Sequence, residues 1–288
     1  MRIGTRLPTT GPDANRAGIV DRARELEAAG FDSLWVSDHV VQPETIQSRY
    51  PYSADGTTTW DPAIPQVEAL VALAAVAAVT ERVELGTAVL VVPQRQAVLL
   101  AKQLASIDAI APGRVVLGAG AGWLAEEFQA LGADFARRGA VLDETIDVLR
   151  DCWTGRPPAR TGIAVDLPAG IVVAPAPAQS IPVLVGGMSG PAIRRAIARG
   201  DGWIAQTSCT AEGAAEVVRL AARLREEAEV AGRTAPLRIA ARLSGGDAQA
   251  AALLLPVLAA AGVDDVVLDT PPAGDAARAI ELLRDTLA

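Results

Sequence analysis

Eight short runs rich in Val, Ile and Leu recur along the chain, each followed by a longer stretch with helical spacing. The runs are Arg2 to Leu7, Ser33 to Ser37, Val83 to Val92, Arg114 to Ala119, Ile181 to Val185, Gly202 to Ala205, Leu237 to Leu243 and Asp265 to Asp269. Several are continuously apolar, the pattern of parallel strands buried on both faces. The helical stretches are Asn15 to Ala29, Pro65 to Thr80, Gln94 to Ile110, Arg137 to Trp153, Pro191 to Arg199, Ala211 to Ala231, Ala248 to Ala261 and Asp275 to Leu287. In the first, Ile19, Ala23, Leu26 and Ala29 share one face and Gly30 suits the C-terminal stop. Eight strand–helix units predict a single α/β domain over residues 1–288, a (β/α)8 TIM barrel. A doubly wound sheet is the alternative, and it more often has about five to seven strands.

Two segments interrupt the alternation. His39 to Ile64 is a long polar loop after the second strand, on the catalytic face of a barrel, and reads as a lid. Thr154 to Ser180, rich in Pro, Gly and Ala, reads as an insertion before the fifth strand, a meandering connector with a short hairpin.

Composition removes whole classes of chemistry. His39 is the only histidine and Lys102 the only lysine. A multi-histidine metal site and a lysine dyad are therefore impossible, and no metal is expected. Lys102 falls in the third helical stretch, away from the strand end that a Schiff-base aldolase requires. The net charge of −8 argues against nucleic acid as a partner. Ala69 to Val79, the longest apolar stretch, is too short to cross a bilayer. Cys152 and Cys209 make no disulfide framework, the first residues lack a signal-peptide core, and a cytoplasmic protein is expected.

In a barrel the loops after the strands build the active site. Asp38-His39 follows strand 2: histidine is the side chain suited to proton transfer near neutral pH, and a neighbouring carboxylate can fix its tautomer. A capping aspartate beside a core histidine is the bland alternative, and the strand-end position favours the functional one. Strand 3 ends in Thr87-Ala88-Val89, mostly packing residues, with Thr87 facing the interior. Gly118-Ala119-Gly120-Ala121-Gly122-Trp123 follows strand 4, where alternating glycines permit close backbone approach to a ligand. This turn lacks a Walker ending, and Trp123 breaks the dinucleotide fingerprint. Gly186-Gly187-Met188-Ser189 after strand 5 opens a helix and reads equally well as a phosphate cradle or a tight turn. Strands 4 and 7 end without the paired carboxylates of a glycosidase. One Asp-His pair, a glycine-lined pocket and a phosphate cradle suit a site whose difficult chemistry belongs to a phosphate-bearing cofactor.

These residues resemble a known family. Gly30 to His39, Trp60-Asp61-Pro62, Arg82 to Thr87, Leu100-Ala101-Lys102, Gly113 to Gly118, Gly122-Trp123 with Glu126-Glu127-Phe128, and Val185-Gly186-Gly187 with Asp201-Gly202-Trp203 resemble, in order, the luciferase-like monooxygenase superfamily. The Ser-Asp-His, Gly-Trp and Gly-Gly-Met-Ser motifs look more like its coenzyme F420-dependent branch. The resemblance implies a (β/α)8 barrel in which Asp38 and His39 line the deazaflavin ring and are the catalytic residues, the histidine moving a proton. It further implies that Gly186 and Gly187 meet the cofactor phosphate, and that a non-proline cis peptide lies between Ala88 and Val89. Thr87, Ala88, Val89, Gly120, Gly122, Trp123, Met188 and Ser189 complete the expected cofactor site. Sugar-phosphate dehydrogenases of this branch carry a tryptophan soon after the Asp-His pair and a glutamate after the glycine-rich turn. Here Val40 to Pro43 and Trp123 stand there, which argues against sugar-phosphate oxidation.

The first reading is an F420-dependent oxidoreductase that moves a hydride between deazaflavin C5 and a small organic substrate. An FMN-dependent monooxygenase served by a flavin or deazaflavin reductase, and a non-catalytic flavin-binding paralogue, are the alternatives. The resemblance also implies a homodimer.

Overall fold

The computed structural model describes residues 1–53, 55–58 and 60–287; Ala54 and Thr59 of the long loop, and Ala288 at the end of the expected domain, lie outside the described residues. Eight parallel strands close into a barrel: β1 Arg2–Arg6, β2 Ser33–Val36, β3 Glu84–Thr87, β4 Val115–Gly120, β5 Val183–Gly186, β6 Gly202–Ser208, β7 Arg238–Ser244 and β8 Asp265–Leu268. Each pairs with its sequence neighbours, and β1 with β8 completes the ring. Eight principal helices surround it: α1 Arg22–Ala29, α2 Ala69–Ala77, α3 Ala97–Ile110, α4 Arg138–Trp153, α5 Gly190–Arg199, α6 Ala211–Val230, α7 Ala248–Ala260 and α8 Ala276–Asp285. A π-helical turn, Ala17–Asp21, leads into α1, and Gly30 ends it in the left-handed conformation.

The barrel interior is layered. At the N-terminal face Arg238 pairs with Glu84 and Asp265 (2.6 Å each), and Arg2 reaches the same two carboxylates. This network seals the bottom with strand-start residues. Above it sit Trp35, Val116, Leu184, Ile204, Ala240 and Val267, an apolar layer with Ala88 at its upper edge. The Trp35 ring takes the space beside two glycines: a Cβ on Gly86 would lie 2.2 Å from the ring and one on Gly4 2.9 Å from its nitrogen. Strand interiors disfavour glycine, so its presence at 86 reflects the volume of Trp35.

The third apolar run, expected to be continuous from Val83 to Val92, is broken. β3 stops at Thr87 and Leu90–Val91 resumes pairing with β4; the Ala88–Val89 peptide between them is cis, as the resemblance implies. The insertion 154–180 contains the expected hairpin, Arg160–Thr161 against Asp166–Leu167, tied to α4 by Arg160–Asp151 at 2.7 Å. No helix among the described residues is long and apolar enough to cross a membrane.

Substituting Gly86→Ala is expected to destabilise the fold by about 1–3 kcal/mol through overpacking against Trp35, read as a lower urea midpoint. A Trp35→Leu background should remove most of that additional loss.

Candidate active site

Two strand ends are locked by one carboxylate. Asp38, leaving β2 and nearly buried, accepts hydrogen bonds from the Val91 amide (2.8 Å) and from both terminal nitrogens of Arg95 (2.7 and 2.8 Å). Arg95 also reaches Glu68 at 2.8 Å. A bidentate Arg–carboxylate pair is the strongest geometry available to such groups. It pins the segment after the Ala88–Val89 bond to the end of β2.

This arrangement corrects one sequence expectation. Asp38 does not orient His39. Its oxygens are committed to Arg95 and Val91, and the imidazole Nδ1 instead lies 3.0 Å from Glu127 Oε2. Glu127 belongs to a short helix, Ala125–Ala130, that follows the glycine-rich turn. Its other oxygen accepts from the Val40 amide at 2.6 Å. Burial opposes ionisation of Glu127, but the His39 bond and charge and the Val40 amide outweigh it and hold the carboxyl below its ordinary range. An ionised acceptor at Nδ1 requires Nδ1–H, so Nε2 carries the exchangeable site. No described residue hydrogen-bonds Nε2, and His39 faces the cleft.

The cleft opens at the C-terminal end of the barrel and measures about 1280 Å³. Asp38, His39, Ala88, Val89, Gly120, Gly122, Trp123, Gly186, Gly187, Met188 and Ser189 all line it, and Thr87 does not. Thr87 is buried beneath, donating to the Gly118 carbonyl at 2.8 Å. The glycines have a different immediate cause from the one their pattern suggested. A Cβ on Gly120 or Gly186 would lie 2.5 Å from a Val89 methyl, and one on Gly118 would lie 1.9 Å from the Thr87 carbonyl. They make room for the displaced strand-3 segment, which projects Val89 into the cleft.

At the start of α5, Ser189 Oγ accepts from the Ala192 amide, so the hydroxyl caps the helix. The amides of Met188, Ser189 and Gly190 have no acceptor among the described residues. Three such donors at a helix N-terminus suit an oxyanion.

The long loop after β2 covers one side. Tyr50, Trp60 and Trp123 meet edge-to-face at 5.0–5.5 Å, and Trp60 packs on His39 at 4.7 Å. Tyr50 also meets Tyr52 at 5.6 Å. Glu126 fastens this loop: it accepts from the Gln47 and Ser48 amides and the Ser48 hydroxyl at 2.6–3.0 Å. Two further lining residues, Arg6 and Arg242, were not singled out from sequence. A charged residue near the end of an apolar run, as in Ile239-Ala240-Ala241-Arg242-Leu243, is the signal that could have found the second. Among the described residues no cluster of three or more His, Cys, Asp or Glu side chains could hold a metal.

Residues 1–284 match the family model described as luciferase-like monooxygenase, and the chain belongs to that family. It is 38% identical over 220 residues to an uncharacterized protein of Mycobacterium tuberculosis, covering 75% of this chain and 73% of the relative. It is 31% identical over 224 residues to the F420-dependent glucose-6-phosphate dehydrogenase of Amycolatopsis mediterranei, covering 75% of this chain and 60% of that enzyme. Among solved structures, an F420-dependent secondary alcohol dehydrogenase in complex with an F420–acetone adduct superposes with a TM-score of 0.78 at 15% identity, covering 100% of this chain and 99% of that one. That likeness concerns the fold.

The clasp on the loop titrates. Burial works against the Glu126 carboxylate, but the Ser48 hydroxyl and the Gln47 and Ser48 amides overcome it and lower its pKa from 4.5 to about 2. A carboxyl depressed in the folded state stabilises above its unfolded pKa and loses that contribution as pH falls through the folded value. The stability difference between wild type and Glu126→Gln should therefore be full above about pH 4.5 and close as pH approaches about 2, followed by urea unfolding across that range.

Proposed function

We propose that the protein is a coenzyme F420-dependent oxidoreductase that moves a hydride between deazaflavin C5 and a small organic substrate, with His39 as proton donor or acceptor. The observation that carries this reading is the histidine itself: a cleft-facing imidazole whose Nδ1 is held by a buried Glu127, at the mouth of a barrel. Supporting it are the cleft's volume, the unaccepted amides at the start of α5, and the stretch shared with an F420-dependent relative.

The residues present fit the cofactor. The Met188, Ser189 and Gly190 amides would hold its phosphate, with Arg138 and Arg195 on the same side of the cleft. Val89, raised between Gly120 and Gly186, would support the flat ring, and Trp123 and Trp60 would border it. When bound, F420 supplies or accepts a hydride at C5.

The chain's own task is the proton. Hydride addition to a carbon–heteroatom double bond requires one proton at the heteroatom, and the reverse reaction releases it. Nε2 of His39 is the group positioned to give or take it. The ionised Glu127 keeps Nδ1 protonated, so Nε2 is basic when the ring is neutral. The same carboxylate offsets the positive charge when the ring is protonated. The loop aromatics exclude water from the side of His39 against which Trp60 packs. Asp38 is a positioning residue: through Val91 and Arg95 it sets where the Ala88–Val89 segment stands.

The test begins with binding. F420 and FMN are titrated into purified protein, and F420 is expected to bind at least tenfold more tightly; the opposite order would favour an FMN-dependent enzyme. His39→Ala should then lower single-turnover hydride transfer by about 100- to 10,000-fold with the fastest substrate of a panel of small alcohols and carbonyls, while F420 affinity stays within a few fold. Glu127→Gln should give a smaller loss in the same measurement. Full transfer by His39→Ala would remove the proposed role.

A further inference from the structure

Arg242 lies in an unusual place for a guanidinium. It leaves β7 and donates through Nη1 to the Ala88 carbonyl at 2.7 Å, beyond the end of β3. β3 and β7 are four strands apart in a ring of eight, so the side chain crosses the barrel mouth and lies as part of the cleft floor. Gln206 accepts from the same nitrogen at 3.0 Å. The apolar layer of Trp35, Val116, Leu184, Ile204, Ala240 and Val267 lies beneath.

The remaining edge of this guanidinium is unused. Arg242 is 9% exposed, its Nε is buried with no partner, and no described residue accepts from Nη2. It forms no ion pair among the described residues. A second cation, Arg6, also lines the cleft and keeps a buried, unpartnered Nε, its own pair with Asp269 being longer, at 3.3 Å. Burial, and then repulsion from Arg6, lower the Arg242 pKa to about 10, so it remains a cation at neutral pH. Buried charges in folded proteins are ordinarily paired. Nε–H and Nη2–H lie side by side on one edge of the guanidinium, a fork that matches the two oxygens of a carboxylate.

This charge is separate from the phosphate cradle. The cradle follows β5, whereas Arg6 ends β1, directly across the ring, and Arg242 starts from β7. His39 follows β2, the neighbour of β1. Tyr50 and Tyr52 share the cleft with Arg6, Arg242, Trp60 and Trp123.

We infer that the Nε–Nη2 edge of Arg242, assisted by Arg6, binds the carboxylate of the substrate, and that the substrate class is small carboxylic acids with an apolar or aromatic body. The assignment of this ligand as substrate rests on the functional reading above; the carboxylate site itself does not. The carboxylate is anchored on the floor at Arg242, the body lies among Tyr50, Tyr52 and Trp60, and the reacting carbon is directed toward His39.

Calorimetric titration tests the site with benzoate, its neutral counterpart benzamide, and phenyl phosphate. The cofactor-free protein is expected to bind benzoate at least tenfold more tightly than benzamide and more tightly than phenyl phosphate. Arg242→Met should lose about 10- to 100-fold in benzoate affinity, with benzamide affinity changed less than threefold. Arg242→Lys should recover part of the benzoate affinity. Equal binding of benzoate and benzamide by wild type overturns the inference, whether or not the variants fold. A preference for phenyl phosphate overturns the carboxylate assignment. A tenfold or larger loss of F420 affinity in Arg242→Lys, whose ammonium can still donate to the Ala88 carbonyl, assigns the edge to the cofactor and overturns the substrate role. Failure of F420 to bind, with the benzoate preference intact, removes the functional reading and leaves the carboxylate site standing.

Discussion

The site depends on one buried carboxylate. Asp38 leaves β2 and gathers the Val91 amide and the Arg95 guanidinium to itself. Together with the Ala88 amide on the Val36 carbonyl (2.8 Å), that clasp joins the end of β2 to the chain beyond β3. With it, the Ala88–Val89 segment is held in the mouth of the barrel, supported from across the ring by Arg242 on the Ala88 carbonyl. Removing one partner of such a buried pair leaves an uncompensated charge and costs about 3–5 kcal/mol. The glycines at 120 and 186 follow from it, since Val89 occupies the space their side chains would need, while Gly118 clears the Thr87 carbonyl just before it.

The two buried acids therefore divide the work. Asp38 shapes the floor, and Glu127 sets the histidine. Glu127 also ties down the start of the long loop through the Val40 amide, while its neighbour Glu126 fastens the loop further on at Gln47 and Ser48. One short helix thus couples the His39 ring to its cover. The loop aromatics then pack on that ring, so access to His39 and order in the loop are linked.

Most of the barrel was legible because short apolar runs alternate eight times with longer stretches of helical spacing, so that the repeat marks the strands even where a helix such as Ala69–Ala77 is itself apolar. The ends were less so. Pro65 to Thr80 reads as one helix, yet α2 starts at Ala69, where Glu68 caps the Val71 amide. The run from Val83 to Val92 gives no sign of its interruption in apolar content; only the family resemblance pointed to Ala88–Val89. Asp38 and His39 were taken together because they are adjacent in sequence. Consecutive side chains in extended backbone point in opposite directions, and the true partner of His39 lies 88 residues away on a helix too short for periodicity to reveal. Arg242 was hidden by its setting, an interior charge in a strand otherwise apolar after Arg238, and its meaning depends on what lies across the ring.

We propose that His39, the Val89 prominence and the amides at the start of α5 serve one bound molecule. A crystal structure of the protein with F420 tests this most directly. The cofactor phosphate is expected on the Met188–Gly190 amides, the ring against Val89, and His39 Nε2 facing the open side of the ring near C5. A phosphate bound elsewhere on the rim, or a ring turned so that His39 cannot reach the space above C5, would contradict it.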